Sequence, residues 1–161
     1  MTYEKSNKLH IVAVVAVIPN ADGKYLILKR RDDEIAYPSM YTFPGGKMEG
    51  NDTVEETLEK EAIEEAGLRL KPGKILLKDK SFLRPDGQTA KSFSYLCFAE
   101  NPDEVRIGED FTDFRWADLD DLKALPHVGI EEEFKKADAI LKSGADLSLF
   151  ETGSVKEDLT S

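Results

Sequence analysis

The chain has 161 residues, 40% hydrophobic and 34% charged, as expected of one globular domain able to bury its own core without staples. Its 22 Lys and Arg stand against 32 Asp and Glu, a net charge of −10, and this balance excludes a general nucleic-acid binder, which needs a basic face. The lone Cys97 excludes an internal disulfide and fits a reducing, cytoplasmic setting.

In chain order, residues 1–8 are polar and expected to be loose. Lys5 and Lys8 ahead of the apolar run Ile11–Ile18 imitate a short signal peptide, but Glu4 spoils the basic leader. The run also falls far below the roughly 18 residues of a membrane span, so no membrane partner is expected. His10–Ile18, rich in Val, Ile and Ala, predicts a strand buried on both faces. Pro19-Asn-Ala-Asp-Gly23 is a turn signal, and Tyr25–Lys29 returns as a second strand, so the pair reads as a hairpin. Arg30 to Ser39 is a charged connection, and Tyr41–Phe43 is a short extended piece before Pro44. Gly45 to Gly50 reads as a loop and Thr53–Ala66 as a helix, with Thr53 and Glu56 as a capping box and Gly67 as its stop.

Further on, Ile75–Leu83 and Lys91–Phe98 are strands flanking the turn Arg84-Pro-Asp-Gly87. Cys97 lies in the second of them and reads as a small buried hydrophobe. Phe111–Trp116 is another strand, and Leu119–Leu125 and Ile130–Ser143 are helices. The expected domain is residues 1–145, followed by a polar, weakly ordered tail over residues 146–161. Strands and helices mix without strict alternation, which places the fold in the α+β class as a mixed α/β/α sandwich.

The chemistry concentrates in Thr53–Ala66, which carries Glu55, Glu56, Glu59, Glu61, Glu64 and Glu65 against one cation, Lys60. At about 100° per residue, Val54, Leu58, Ala62 and Ala66 form the apolar stripe. Glu55, Glu56 and Glu59 project away from it as an ordinary solvated face. Glu65 falls inside the stripe, Glu61 on its edge and Glu64 beside it. Carboxylates crowded near a buried face need a cation or a proton to compensate them. Hard oxygen ligands suit Mg²⁺ or Mn²⁺. Gly45-Gly46 just upstream, stiffened by Pro44, allows close backbone approach to a ligand.

The segment from Gly46 to Leu68 strongly resembles the Nudix box: a glycine, five residues, Glu, seven residues, Arg-Glu, an aliphatic, any residue, Glu-Glu, any residue, Gly and an aliphatic. Gly46, Glu61, Ala62, Glu64, Glu65, Gly67 and Leu68 match, whereas Asp52 stands for the usual Glu and Lys60 for the usual Arg. Weaker similarity extends to Tyr25–Arg31, Tyr41–Gly46 and Phe114–Leu119. The resemblance implies the Nudix fold, a mixed twisted sheet between helices. It also implies a pyrophosphohydrolase cleaving a phosphate–phosphate bond in a nucleoside diphosphate derivative.

By the same resemblance, Glu61, Glu64 and Glu65 hold Mg²⁺ or Mn²⁺ with the Gly45 carbonyl. One glutamate, with Glu61 the first candidate, serves as general base. Lys60 holds the carboxylates in place, as a point charge rather than the bidentate fork of Arg. Arg30 or Arg31 meets a phosphate, and Glu109, Asp110 and Asp113 are candidates for a further acidic ligand. A nucleoside triphosphate, ordinary or oxidised, is slightly favoured over a nucleotide sugar or ADP-ribose, because the chain is compact. The departures at Asp52 and Lys60 keep a second reading open, a nucleotide-binding or sensor domain that does not cut. The expected partner is a small nucleotide and not a polymer, and the chain is expected to be a monomer or homodimer. Trp116, Phe82 and Tyr95 read as packing residues, and His127 as an uninvolved loop histidine.

Overall fold

In a computed structural model, which describes residues 9–160, the chain forms two sheets between helices. The four-stranded sheet has the order β4-β1-β6-β5, from β1 (Ile11–Val17), β4 (Gly45–Lys47), β5 (Ile75–Leu83) and β6 (Thr89–Leu96). Strands β1 and β6 run parallel; β1–β4 and β5–β6 are antiparallel. The three-stranded sheet has the order β3-β2-β7, from β2 (Tyr25–Arg30), β3 (Tyr41–Thr42) and β7 (Phe111–Ala117). Helices α1 (Val54–Ala66), α2 (Leu119–Lys123) and α3 (Glu131–Lys142) complete the fold, which is α+β as expected. The expected looseness of residues 1–8 lies outside the described residues. No described helix is long and apolar enough to cross a membrane.

Alternation along the central strands builds two cores. Val14, Ala16, Leu26 and Leu28 pack with Leu58, Ala62 and Ala66 of α1. Val17, Tyr25 and Ile27 pack with Phe134 and Ala137 of α3. Burial on both faces is why β1 and β2 read as unbroken apolar runs. The same burial undoes the expected hairpin. Beyond the bridge Pro19↔Tyr25 the two strands separate, because both edges of β1 are taken by β4 and β6. A second correction concerns Gly45–Lys47, expected as loop, which pairs with β1 as a strand.

Helix α1 has the predicted ends. Thr53 and Glu56 exchange both capping-box hydrogen bonds, and Gly67 (φ 68°) closes the helix in the left-handed region. Its solvated face is a third correction. Lys74 is fully buried and donates to Glu59 Oε1 at 3.1 Å and to the Lys71 carbonyl at 3.0 Å, with Glu55 Oε1 at 4.0 Å. The segment after Gly144 touches the body of the fold at several points. Thr152 bridges Lys74, Ser154 Oγ accepts from the Glu55 amide, and Lys156 pairs with Glu56.

The buried ammonium predicts a stability effect. Lys74→Ala removes packing and charge together and should cost about 3 kcal/mol. Lys74→Met keeps the stem and should cost about 1 kcal/mol, since Glu55 and Glu59 can still reach water. Urea unfolding measures both, and two midpoints equal to that of the parent chain would remove Lys74 from any role in holding α1.

Candidate active site

The glycine pair and α1 meet at one point. Strand β4 pairs Gly46 with Val14 and Gly45 with Val15, so the two glycines face opposite sides of the sheet. Gly46 turns toward α1. A Cβ built there would lie 2.7 Å from the Glu61 carboxylate. Gly45 turns the other way, and its amide donates to Glu65 Oε2 at 2.9 Å. The contact that Gly45 makes to the glutamates is thus through its amide; its carbonyl was expected as a ligand of the metal rather than as a partner of the carboxyls. The loop beyond Gly67 closes the other end of the helix. The Arg106 amide donates to the Ala66 carbonyl and the Gly108 amide to the Glu65 carbonyl, so both last-turn acceptors are satisfied.

Helical spacing places Glu61 and Glu65 one turn apart on this face. Burial pushes the Glu65 carboxyl up to about 8, the Gly45 amide opposes that shift, and the charges of Glu61 and Asp110 add to it. Glu61 is also raised, first by burial and then by the charge of Glu64, while hydrogen bonding from Glu65 and the charge of Lys60 act the other way. Two like carboxyls this close hold one proton between them, with Glu65 as donor and Glu61 as acceptor.

The expected trio is only partly assembled. Glu64 is exposed and acts on Glu61 through its charge. Among the described residues no three Asp, Glu, His or Cys side chains converge as ligands. The donor chemistry nevertheless fits a hard divalent ion: two desolvated carboxyls compensated by a proton, beside a glycine whose absent Cβ leaves them room.

The other candidates divide. Lys60 is exposed and forms no ion pair among the described residues. Arg30 donates to the Ala36 carbonyl and pairs with Glu34. Arg31 pairs with Asp33 and reaches the Glu109 carbonyl at 3.4 Å. Of the three late acids, Asp110 is the one whose charge acts on Glu65. Asp113 lies in β7 and accepts from the Tyr41 hydroxyl at 2.7 Å, a structural bond between strands. His127 accepts at Nδ1 from the Gly129 and Ile130 amides and so shapes the entry to α3. Tyr95 is core as expected, whereas Phe82 stands half-exposed on β5.

A single cross-strand row leads away from the glycine turn. Gly45 pairs with Val15, Val15 with Ser94, and Ser94 with Lys78. Partners in register share a face, so the row crosses three strand spacings, about 14 Å. At its far end is a cavity of about 100 Å³ lined by Val15, Thr42, Lys78, Ser94, Ile130 and Glu133, among others. A larger hollow of about 440 Å³, between residues 51–54 and 153–157, is wide open and includes neither Gly45 nor the Glu61–Glu65 pair. The smaller one does not include Gly45, Glu61 or Glu65 either, but it is lined by Val15, the β1 partner of Gly45. Glu133 and Lys78 carry no signal in the sequence: one sits in an acidic helix start, the other in an ordinary strand.

Residues 9–137 match the model of the NUDIX domain. Nucleoside triphosphatase NudI of Escherichia coli O139:H28 is 31% identical over 120 residues, covering 68% of this chain and 83% of that protein. The MutT protein from Methanosarcina mazei superposes with a TM-score of 0.68 at 20% identity, covering 83% of this chain and 96% of that one. The NUDIX domain of Shewanella oneidensis NrtR, solved with ADP ribose, gives a TM-score of 0.68 at 18% identity, covering 86% and 94%. At these identities the two structures speak to the fold alone.

Proposed function

This chain belongs to the Nudix family, and from that premise we propose that it hydrolyses the phosphate–phosphate bond of a nucleoside triphosphate with a divalent metal ion. One observation carries the reading: Glu61 and Glu65 are pressed together beside the Gly45-Gly46 turn. Glu61 and Glu65 would hold Mg²⁺ or Mn²⁺, with Glu64 joining from the same helix face. When bound, the ion supplies charge neutralisation at the diphosphate and a lowered pKa for the attacking water.

The chain's own residues do the rest. The Gly45 amide fixes the Glu65 carboxyl, and Glu61, the acceptor of the pair, takes the water's proton as general base. Lys60 favours the ionised form of Glu61 from a distance. Arg30 and Arg31 would exchange Glu34 and Asp33 for substrate phosphates. Surface ion pairs of this kind are worth about 0–1 kcal/mol, so the exchange is cheap. A triphosphate is preferred over ADP-ribose because the site is one compact row, and because a relative covering 68% of this chain carries the name nucleoside triphosphatase.

Lys60 keeps the second reading alive. It is exposed and unpaired among the described residues, so nothing forks onto the carboxylates. A domain that binds a nucleotide without cutting it is consistent with that. The deciding experiment incubates the protein and Mg²⁺ with nucleoside triphosphates, nucleotide sugars and ADP-ribose, and identifies products by chromatography. We expect turnover of at least one triphosphate, faster than of the other classes and abolished by EDTA. Binding without turnover, unchanged in Glu65→Gln, would establish the sensor instead.

A further inference from the structure

The cavity at the end of the Gly45 row contains a polar group with an unmet need. Glu133, on α3, is 4% exposed. Its Oε1 is enclosed and has no hydrogen-bond partner among the described residues. Lys78 Nζ lies 3.3 Å away as a counter-charge, but off the direction of a hydrogen bond. Native interiors rarely leave such an atom unsatisfied, and one lining a cavity points to a ligand that brings the donor.

The sheet is shaped to make this arrangement. Strict alternation would put Lys78 on the face opposite Leu77. A bulge between Leu76 and Lys78 breaks the register, so Leu77 packs in the α3-side core while Lys78 pairs with Ser94 on that same side. Bulges re-aim side chains in this way beside functional sites. Around the cavity Lys78 and Lys80 are balanced by Asp79 and Glu133. That balance suits a neutral heterocycle better than phosphate. At about 100 Å³ the space admits one end of a ligand rather than the whole, since pockets for complete small molecules run to roughly 300–1,000 Å³.

We propose that Glu133 is the base-reading residue of this chain, selecting nucleotides whose base presents an amino group to it over those presenting a carbonyl. The inference rests on the nucleotide hydrolase reading, because the cavity lies along the cross-strand row that begins at Gly45, whose amide holds Glu65, and one substrate would reach from one to the other. An ionised carboxylate only accepts, so it takes an amino N–H and repels a carbonyl oxygen. A site built to accept from a donor rejects the analogue that lacks it, because its buried group is then left unpaired.

The test uses near-isosteric pairs, CTP against UTP and ATP against ITP, each exchanging amino for oxo at one position and, beside it, a ring-nitrogen acceptor for an N–H. With Mg²⁺, kcat/KM should favour the amino member of at least one pair roughly 10- to 100-fold. Glu133→Gln, whose amide both donates and accepts, should bring that ratio to within about twofold of one. Glu133→Asp should retain the preference in reduced form, and it serves in place of the glutamine variant if that one does not fold. A parent ratio near one, or a ratio unchanged in the variants, overturns the inference while leaving hydrolysis intact. If no triphosphate is cut, the hydrolase reading fails separately, and the same ratios are read as affinities by calorimetry. Equal affinities for both members of each pair would then overturn the inference as well.

Discussion

Replacing Gly46 with alanine should leave the fold in place and remove most of the hydrolysis. The added methyl would lie 2.7 Å from the Glu61 carboxylate, and its three nearest neighbours are all atoms of that side chain. Glu61 can swing its head group away, so the stability cost is that of one displaced, half-exposed side chain, about 1 kcal/mol. The functional cost is far larger, because misplacing a reacting group by about 1 Å can lower the rate roughly 100-fold. Gly45→Ala should behave in the opposite way. Its methyl would strike the Val14 carbonyl oxygen and lie 2.7 Å from Val15 Cα. Backbone in the central strand cannot move aside, so this variant should unfold well below the parent temperature. Thermal melting with a triphosphate assay separates the two. If Gly46→Ala keeps more than half the parent activity, Glu61 is not where the chemistry happens.

Those two glycines also show how much of the site was legible beforehand. The spacing from Gly46 to Glu61 and Glu65 is local, a turn followed by one helix, and local spacing survives folding. The capping box, the glycine stop and the apolar stripe of α1 were readable for the same reason. What could not be read depends on partners distant in sequence. Lys74 and Glu59, 15 positions apart, meet only because the turn ahead of β5 folds back against α1. Glu133 and Lys78, 55 positions apart in the numbering, meet only because α3 crosses β5 at a bulge. The expected hairpin failed similarly: nothing in residues 11–30 announces that β4 and β6 will occupy both edges of β1. Glu64 was grouped with Glu61 and Glu65 by helical angle and by the spacing of the box, and neither fixes which way a long side chain leans.

Glu65→Gln should separate stability from activity in a way that depends on pH. The parent carboxyl holds its proton to about pH 8 in the fold. In the unfolded chain it loses that proton near 4.5, the ordinary value. Between these limits the folded state binds more protons than the unfolded one. Its contribution is therefore fully present below about 4.5 and is lost as the pH rises toward 8, at most about 1.4 kcal/mol per pH unit. Glutamine is permanently in the neutral form and can still donate to Glu61 and accept from Gly45. In EDTA, Glu65→Gln should thus melt higher than the parent above pH 8, and the gap should close as the pH falls below 5. Mg²⁺ should reverse that order at neutral pH. A divalent ion displaces the shared proton and stabilises only a chain that can ionise both carboxyls. The parent should then gain in melting temperature with added Mg²⁺, the variant should gain little, and hydrolysis by the variant should fall roughly 100-fold or more. Equal Mg²⁺ responses in the two proteins would place the ion away from Glu65, and the assignment of the metal to this helix would have to be given up.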